Sequence, residues 1–176
     1  YYTMKLVRGK TMLQAIREGK TLQDRLALLP HFLSLCHAIA YAHSRGVIHR
    51  DIKPANVMVG DFGETVVLDW GIAKALGAED LHSSGIADAV TALKLDDHEY
   101  TVHTEAGDAL GTPHYMPPEQ AEGRIDDIDK RSDVYSLGAV LYELLTGKTP
   151  YTGRTTREIL QKVLHDRIPP VKELVQ

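Results

Sequence analysis

Cysteine is almost missing from this sequence: Cys36 is the single one among 176 residues. A lone thiol cannot build an internal disulfide framework, which fits a reducing compartment. Cys36 lies in the apolar run HFLSLCHAIAYAH and is expected to be a buried structural thiol. Long apolar runs are lacking too. None approaches the roughly eighteen residues that a membrane span requires, so no membrane segment is expected in this chain. No block of Lys or Arg occurs, and the net charge is −4. That excludes a basic footprint, and no nucleic acid partner is expected. The N-terminus lacks the layout of a signal peptide. A cytoplasmic location follows as the expectation, with any membrane anchor of a parent protein lying outside this segment. There is no initiator Met. The chain opens inside the strand-like YYTMKLV and reads as a piece of a longer polypeptide.

Metal and phosphate signatures of the commoner kinds are also absent. His37 and His43 share one helical stretch without the i, i+4 spacing of a metal pair, and there is no HExxH, so no zinc site is expected. The GKT triplets at 9–11, 19–21 and 147–149 each lack the preceding Gly of a P-loop and serve as loop punctuation.

What is present suits one compact domain, with 43% hydrophobic and 25% charged residues. Residues 1–7 read as a strand, and 11–19 as a helix with a Gly stop. A long helical pattern runs from Asp24 to Arg45 and closes on Gly46, with Pro30 marking a kink or the true first turn. Two β-rich runs, 57–59 and 65–68, flank the turn GDFGE. Residues 72–110 read as a long loop. SDVYSLGAVLYELLTG, 132–147, has helical spacing, with Ser132 or Asp133 as its cap and Gly147 as its stop. Thr155 opens a last helix, and its spacing to Glu158 predicts a capping box.

The densest constellation is HRDIKPAN, 49–56, on a loop between a helix and a strand. Phosphoryl transfer needs a carboxylate to orient the attacking hydroxyl, a cation near the transferred group and oxygen ligands for Mg²⁺. Asp51, Lys53 and Asn56 supply these residue types. The order His-Arg-Asp-x-Lys-Pro-x-Asn, with GTPHYMPPEQ at 111–120 and DVYSLG at 133–138, resembles the protein kinase family. Lys53 and the style of AYAHSRGVIHRDIKPAN point to its serine/threonine, bacterial eukaryotic-like (Hanks-type) branch.

The resemblance implies a role for each matching position. Asp51 is implied as the catalytic base, Lys53 as the γ-phosphate contact and Asn56 as a Mg²⁺ ligand. Thr112 is implied to bond Asp51 and Lys53, Asp133 to bind backbone amides of the catalytic loop, and His49 to pack inward. Arg50 is implied to pair with a phosphorylated loop residue, Thr104 first and Thr101 second. Glu119 is implied to pair with an Arg beyond residue 176. The backbones of Lys5 and Val7 are implied to meet adenine, with Met4 as gatekeeper and Met58 beneath the base.

Two Asp-aromatic-Gly triplets compete for the metal role: Asp61-Phe62-Gly63 and Asp69-Trp70-Gly71. In the family the metal Asp follows a strand, a turn and a second strand. That spacing selects Asp69 as Mg²⁺ and nucleotide ligand, with Trp70 an aromatic replacement for Phe, still able to pack in the hydrophobic spine, and Gly71 completing the triplet. Asp61 and Gly63 suit a hairpin turn.

The implied fold is mainly α with short β-hairpins, the large (C-terminal) lobe of the protein-kinase-like α+β fold. Residues 1–10 are implied to be the last small-lobe strand and hinge, and 11–176 an incomplete large lobe with its activation segment at 69–119. ATP and Mg²⁺ (or Mn²⁺) are the implied cofactors. The implied partners are a protein substrate with Ser/Thr and a second kinase copy for trans-autophosphorylation. No Gly-rich loop and no strand Lys of the V-A-I-K type is present. The fragment alone is therefore expected to be inactive. A kinase-like scaffold lacking catalysis is the alternative, against which Asp51 and Asp69 stand. A small-molecule phosphotransferase is disfavoured by the Gly-Thr-Pro-x-Tyr segment.

Overall fold

The computed structural model describes residues 9–70, 74–75 and 113–175. The chain enters through a short strand, β1 (Lys10–Thr11), and turns at once into α1 (Met12–Glu18). Thr11 caps α1: its hydroxyl accepts from Gln14 N and the Gln14 side chain accepts from Thr11 N, the reciprocal pair of a capping box.

The long helical pattern after Gly19 is two helices, α2 (Leu22–Leu26) and α3 (Leu29–Ser44). Pro30 sits in the first turn of α3, where its missing N–H has no intrahelical partner to lose. The combined stretch Leu22–Ser44 is long and apolar enough by composition to cross a membrane, contrary to the sequence expectation. Its buried positions, Leu35, Ile39 and Ala42, face the protein interior, as in a core helix. Cys36 is half-buried rather than buried, because its neighbours Leu35 and Ile39 occupy the core positions.

A turn leads to β2 (Val47–Ile48), the loop 49–53, a 3₁₀ turn (Pro54–Asn56) and β3 (Val57–Val59). The hairpin to β4 (Thr65–Val67) is antiparallel, with Val57 opposite Val67 and Val59 opposite Thr65. Gly63 has φ 89 at its tip, and Phe62 is 93% exposed there. β1 adds to the other side of β3, and β2 pairs with β5 (Lys74–Ala75).

Beyond a 3₁₀ turn (Pro113–Tyr115) come α4 (Pro118–Glu122), α5 (Lys130–Thr146), α6 (Thr156–His165) and α7 (Val171–Leu174). Helix α5 starts earlier than its apolar spacing suggests. Asp129, not Ser132 or Asp133, is the cap; its carboxylate accepts from Arg131 N, and Ser132 Oγ accepts from Asp129 N. Gly147, at φ 71, ends α5 as expected. At α6 half of the expected box forms. Thr155 Oγ1 accepts from Glu158 N, while the Glu158 carboxylate turns to Arg154 N and Lys162 Nζ.

The main core joins Met12 and Ile16 of α1, Leu35 and Ile39 of α3, Val57 and Val59 of β3, and Val140 and Leu144 of α5. Ile52, inside the HRDIKPAN loop, belongs to the same cluster, so the loop is anchored from below by burial. Met116, Tyr151, Ile159 and Leu160 form a second cluster under the 113–120 segment.

One guanidinium ties the helices together at the far end. Arg25 donates to the carbonyls of Leu144 (3.1 Å), Leu145 (3.3 Å) and Gly19 (3.2 Å), the C-terminal ends of α5 and α1. A cation at two helix C-termini is favourable both as a donor and toward the macrodipoles. Arg25→Ala is expected to lower stability by about 2 kcal/mol. Arg25→Lys should recover only a minor part, since one ammonium cannot span three carbonyls. Urea unfolding of the three proteins measures both.

Candidate active site

The HRDIKPAN loop is built around a carboxylate that belongs to another helix. Asp133, in the first turn of α5, is 1% exposed. Its Oδ2 accepts from His49 N and its Oδ1 from Arg50 N, each at 2.9 Å. His43 of α3 brings its Nε2 within 2.6 Å of the same Oδ2. These donors offset the cost of burying the carboxylate. Arg50 is itself buried and adopts φ 70, a left-handed conformation that non-glycine residues seldom take. Such a residue costs on the order of 1–3 kcal/mol and persists where its surroundings over-determine it. Its amide bond to Asp133 does so here.

His49 is fully buried and its two ring nitrogens have different tasks. Nε2 lies 3.2 Å from the Leu68 carbonyl, which can only accept, so Nε2 carries the proton. Nδ1 accepts from Asp51 N at 3.3 Å. The imidazole is therefore neutral, and burial holds its pKa below the ordinary value against the pull of Asp133, Asp51 and Asp69.

Around Asp51 the functional groups converge. Lys53 Nζ is 3.0 Å from Asp51 Oδ2, with both side chains 10% exposed. Asn56 Nδ2 donates to that oxygen at 2.9 Å and to the Asp51 carbonyl at 3.0 Å. This orientation turns the Asn56 amide oxygen the other way, leaving an oxygen donor for a hard cation. Asp69 stands two residues past the end of β4, is exposed, and has φ 59. Among the described residues, Arg50 and Asp69 are the non-glycine positions with positive φ. Trp70 lies against His49, ring centroids 4.5 Å apart, and its Nε1 donates to the Val67 carbonyl at 3.1 Å. It is 38% exposed, so its packing is one-sided. Asp61 and Phe62 stand at the exposed hairpin tip.

Thus His49, Arg50, Asp51, Lys53, Asn56, Trp70 and Asp133 are linked by direct contacts. Met58 is half-buried on β3, opposite Thr11 and Val66. Glu119 sits apart, in the first turn of α4, where its Oε1 accepts from Ser132 Oγ at 2.5 Å. Lys5, Val7, Gly71, Thr101, Thr104 and Thr112 lie outside the described residues. No cluster of three or more His, Cys, Asp or Glu forms a self-contained metal cage among the described residues. The available donors, Asn56 and Asp69, suit an oxygen-preferring cation that completes its shell with ligand and water oxygens, as Mg²⁺ does.

Sequence reading missed several supporting residues. His43, which lacks the spacing of a metal pair, contacts Asp133 instead. On α5, Ser136 Oγ donates to the Tyr115 carbonyl at 2.9 Å, and Glu143 Oε2 accepts from the Tyr115 hydroxyl at 2.5 Å. Burial pushes Glu143 up, and burial beside Glu143 pushes Tyr115 far up. His114 Nδ1 lies 2.8 Å from the Tyr151 carbonyl. The signal was available: Ser132, Ser136 and Glu143 recur at helical spacing and fall on one face of α5.

The His49 geometry sets a pH dependence. Its folded pKa is depressed below 6.5, so the unfolded chain binds the proton more readily. The His49 contribution is complete above about pH 6.5 and is lost as pH falls through the folded value. Glu143, raised above 4.5, acts oppositely, contributing at low pH and losing that contribution as pH rises. The stability difference between wild type and His49→Phe isolates the histidine. That difference should shift against wild type as pH is lowered from about 7 to about 5, followed by urea denaturation.

The protein kinase domain family matches residues 1–174 of this chain. The serine/threonine-protein kinase PknD of Protochlamydia amoebophila is 40% identical over 172 residues, covering 90% of this chain and 16% of that protein. PknD of Chlamydia trachomatis serovar D is 34% identical, over 98% of the chain and 19% of its own length. PknB of Mycobacterium tuberculosis is 37% identical, over 97% of the chain and 24% of its length. The chain thus spans less than a quarter of the length of these curated relatives. A match over nearly every residue, on a mainly helical lobe with this loop at its centre, places the chain in the protein kinase domain family.

Proposed function

We propose that this chain is the large-lobe portion of a protein serine/threonine kinase, which transfers the γ-phosphate of ATP to protein hydroxyls. The observation that carries this reading is the Asp51 carboxylate held between Lys53 Nζ at 3.0 Å and Asn56 Nδ2 at 2.9 Å. Asp51 orients the substrate Ser or Thr hydroxyl and receives its proton as the oxygen attacks phosphorus. Lys53 lies beside that carboxylate and stabilises charge on the transferred group. The role proposed for Thr112, which lies outside the described residues, is to hydrogen-bond with Asp51 and Lys53.

Asn56 and Asp69 would hold Mg²⁺ (or Mn²⁺) through their oxygens. The ion's contribution when bound is to neutralise phosphate charge. The backbones of Lys5 and Val7 take the adenine edge, and Met58 packs beneath the base. Residues 1–10 act as the last small-lobe strand and hinge, and 11–176 as large lobe with the activation segment at 69–119. Arg50 answers a phosphate placed on Thr104 or Thr101, added by a second copy in a transient homodimer. This segment works in the cytoplasm on protein substrates, with any membrane anchor of the parent protein lying outside it.

Catalysis needs a second wall for the nucleotide. This segment contains no Gly-rich loop and no V-A-I-K strand lysine. The 176-residue chain alone is therefore expected to transfer no measurable label from ATP and Mg²⁺ to a generic basic protein. Joined to a small lobe supplying both elements, it should label Ser and Thr. Asp51→Asn in that joined form should lower kcat by about 10³-fold. A joined Asp51→Asn protein as active as wild type would sink this reading, and robust transfer by the isolated chain would sink the requirement for a second lobe.

A further inference from the structure

Trp70 occupies the position where the family's triplet carries Phe, and its indole makes a bond that a phenyl ring cannot. Nε1 donates to the Val67 carbonyl at 3.1 Å. Leu68 N donates to the Asn56 carbonyl at 2.8 Å, so the alternation of an antiparallel ladder turns the Val67 carbonyl away from β3. Among the described residues β4 is the edge strand in the order β1–β3–β4, and no further strand there offers that carbonyl a ladder donor. The indole N–H supplies one.

The bond closes the four residues 67–70 into a ring, and Asp69, at φ 59, lies inside it. Aspartate tolerates that region better than most residues, but it holds there only when its surroundings fix it. The rest of the indole is fixed as well. It lies 4.5 Å from the His49 imidazole, which is itself immobilised by Leu68 O on one side and Asp51 N on the other. The ring is thus held by a β4 carbonyl at its N–H and by the catalytic loop at its face.

We propose that Trp70 is a positioning residue for Asp69: its N–H clamp on Val67 presets the turn that presents the Asp69 carboxylate to a divalent cation. The clamp stands on the hydrogen bond alone; its service to a cation rests on the assignment of Asp69 under Proposed function.

The chain has one tryptophan, so replacing tryptophan biosynthetically with benzothienylalanine changes Trp70 only. That analogue keeps the bicycle and lacks the N–H. Trp70→Phe keeps an aromatic ring and also lacks the donor, and serves if the analogue chain folds poorly. In the 176-residue chain, both should retain the wild-type circular dichroism while moving the Asp69 amide and Cα resonances. Unmoved Asp69 resonances in a folded protein would overturn the clamp. In the form joined to a small lobe, Mn²⁺ titration with ATP, followed by broadening of the Asp69 resonances, tests the cation. Affinity should fall about tenfold without the N–H. Equal affinity with shifted resonances overturns the claim that the clamp serves the cation. No broadening at Asp69 in the unmodified joined protein overturns the metal assignment, while the resonance shifts still judge the clamp.

Discussion

The Asp133 carboxylate is the constraint on which the site depends. At 1% exposure it is a charge that burial disfavours strongly, and its oxygens are therefore committed to the amides of His49 and Arg50 and to the His43 imidazole. Those amides belong to consecutive residues, so the carboxylate fixes a dipeptide rather than a point. Arg50 is left-handed in consequence, and the chain emerges toward Asp51 in a direction that ordinary backbone angles would not give. The acid also stands in the first turn of α5, where the helix dipole favours negative charge. Electrostatics of the helix and geometry of the loop thus act on the same group.

Because Asp133 positions the loop, the placement of α5 matters along its whole length. Asp129 caps its start, and Arg25 gathers the carbonyls at its end. Between those ends the helix serves a second segment. Ser132 binds Glu119, Ser136 binds the Tyr115 carbonyl, and Glu143 takes the Tyr115 hydroxyl. The catalytic loop and the 113–120 segment are therefore registered against one rigid body. Polar groups satisfied in this way inside a helical lobe specify one arrangement over alternatives, because any shift strands a buried donor or acceptor.

Local patterns in the sequence carried the hairpin, the α3 and α5 spacings and the loop motif, since each depends on neighbours a few residues apart. What escaped depends on distance along the chain. His43 and Asp133 are 90 positions apart, and no local spacing marks them as partners. Arg25 reads as an ordinary exposed helix cation until the end of α5, more than a hundred positions later, comes beside it. The Asp129 cap was missed because it precedes the apolar repeat by a full turn, and caps are set by backbone donors rather than by hydrophobic spacing. At Thr155 the box spacing was right, yet Lys162 one turn later and Arg154 N compete for the Glu158 carboxylate. Mean composition and local runs diverge in one case: Leu22–Ser44 is apolar enough on average to cross a membrane although Asp24 and Arg25 interrupt it, while it is broken at Ala27-Leu28 and buries one face in the lobe.

The two Asp-aromatic-Gly triplets show how topology separates a motif from its spelling. The loop 49–56 joins β2 to β3, and the connection after Val67 joins β4 to β5. β3 pairs with β4, and β2 pairs with β5, Ile48 opposite Lys74. Two loops that bridge the same two ribbons must run side by side, whatever residues they contain. Leu68 makes the adjacency explicit, since its N–H reaches the Asn56 carbonyl and its carbonyl receives the His49 ring. Asp69 is the next residue. Asp61, at the far tip of the β3–β4 hairpin, has no second ribbon to return it to the loop, and its neighbour Phe62 is left 93% exposed. The role proposed for Asp69 beside Asn56 asks for a backbone held from both ends. In this chain the strand pairing supplies that at position 69, and the indole of Trp70 ties the turn at the point where the ladder stops.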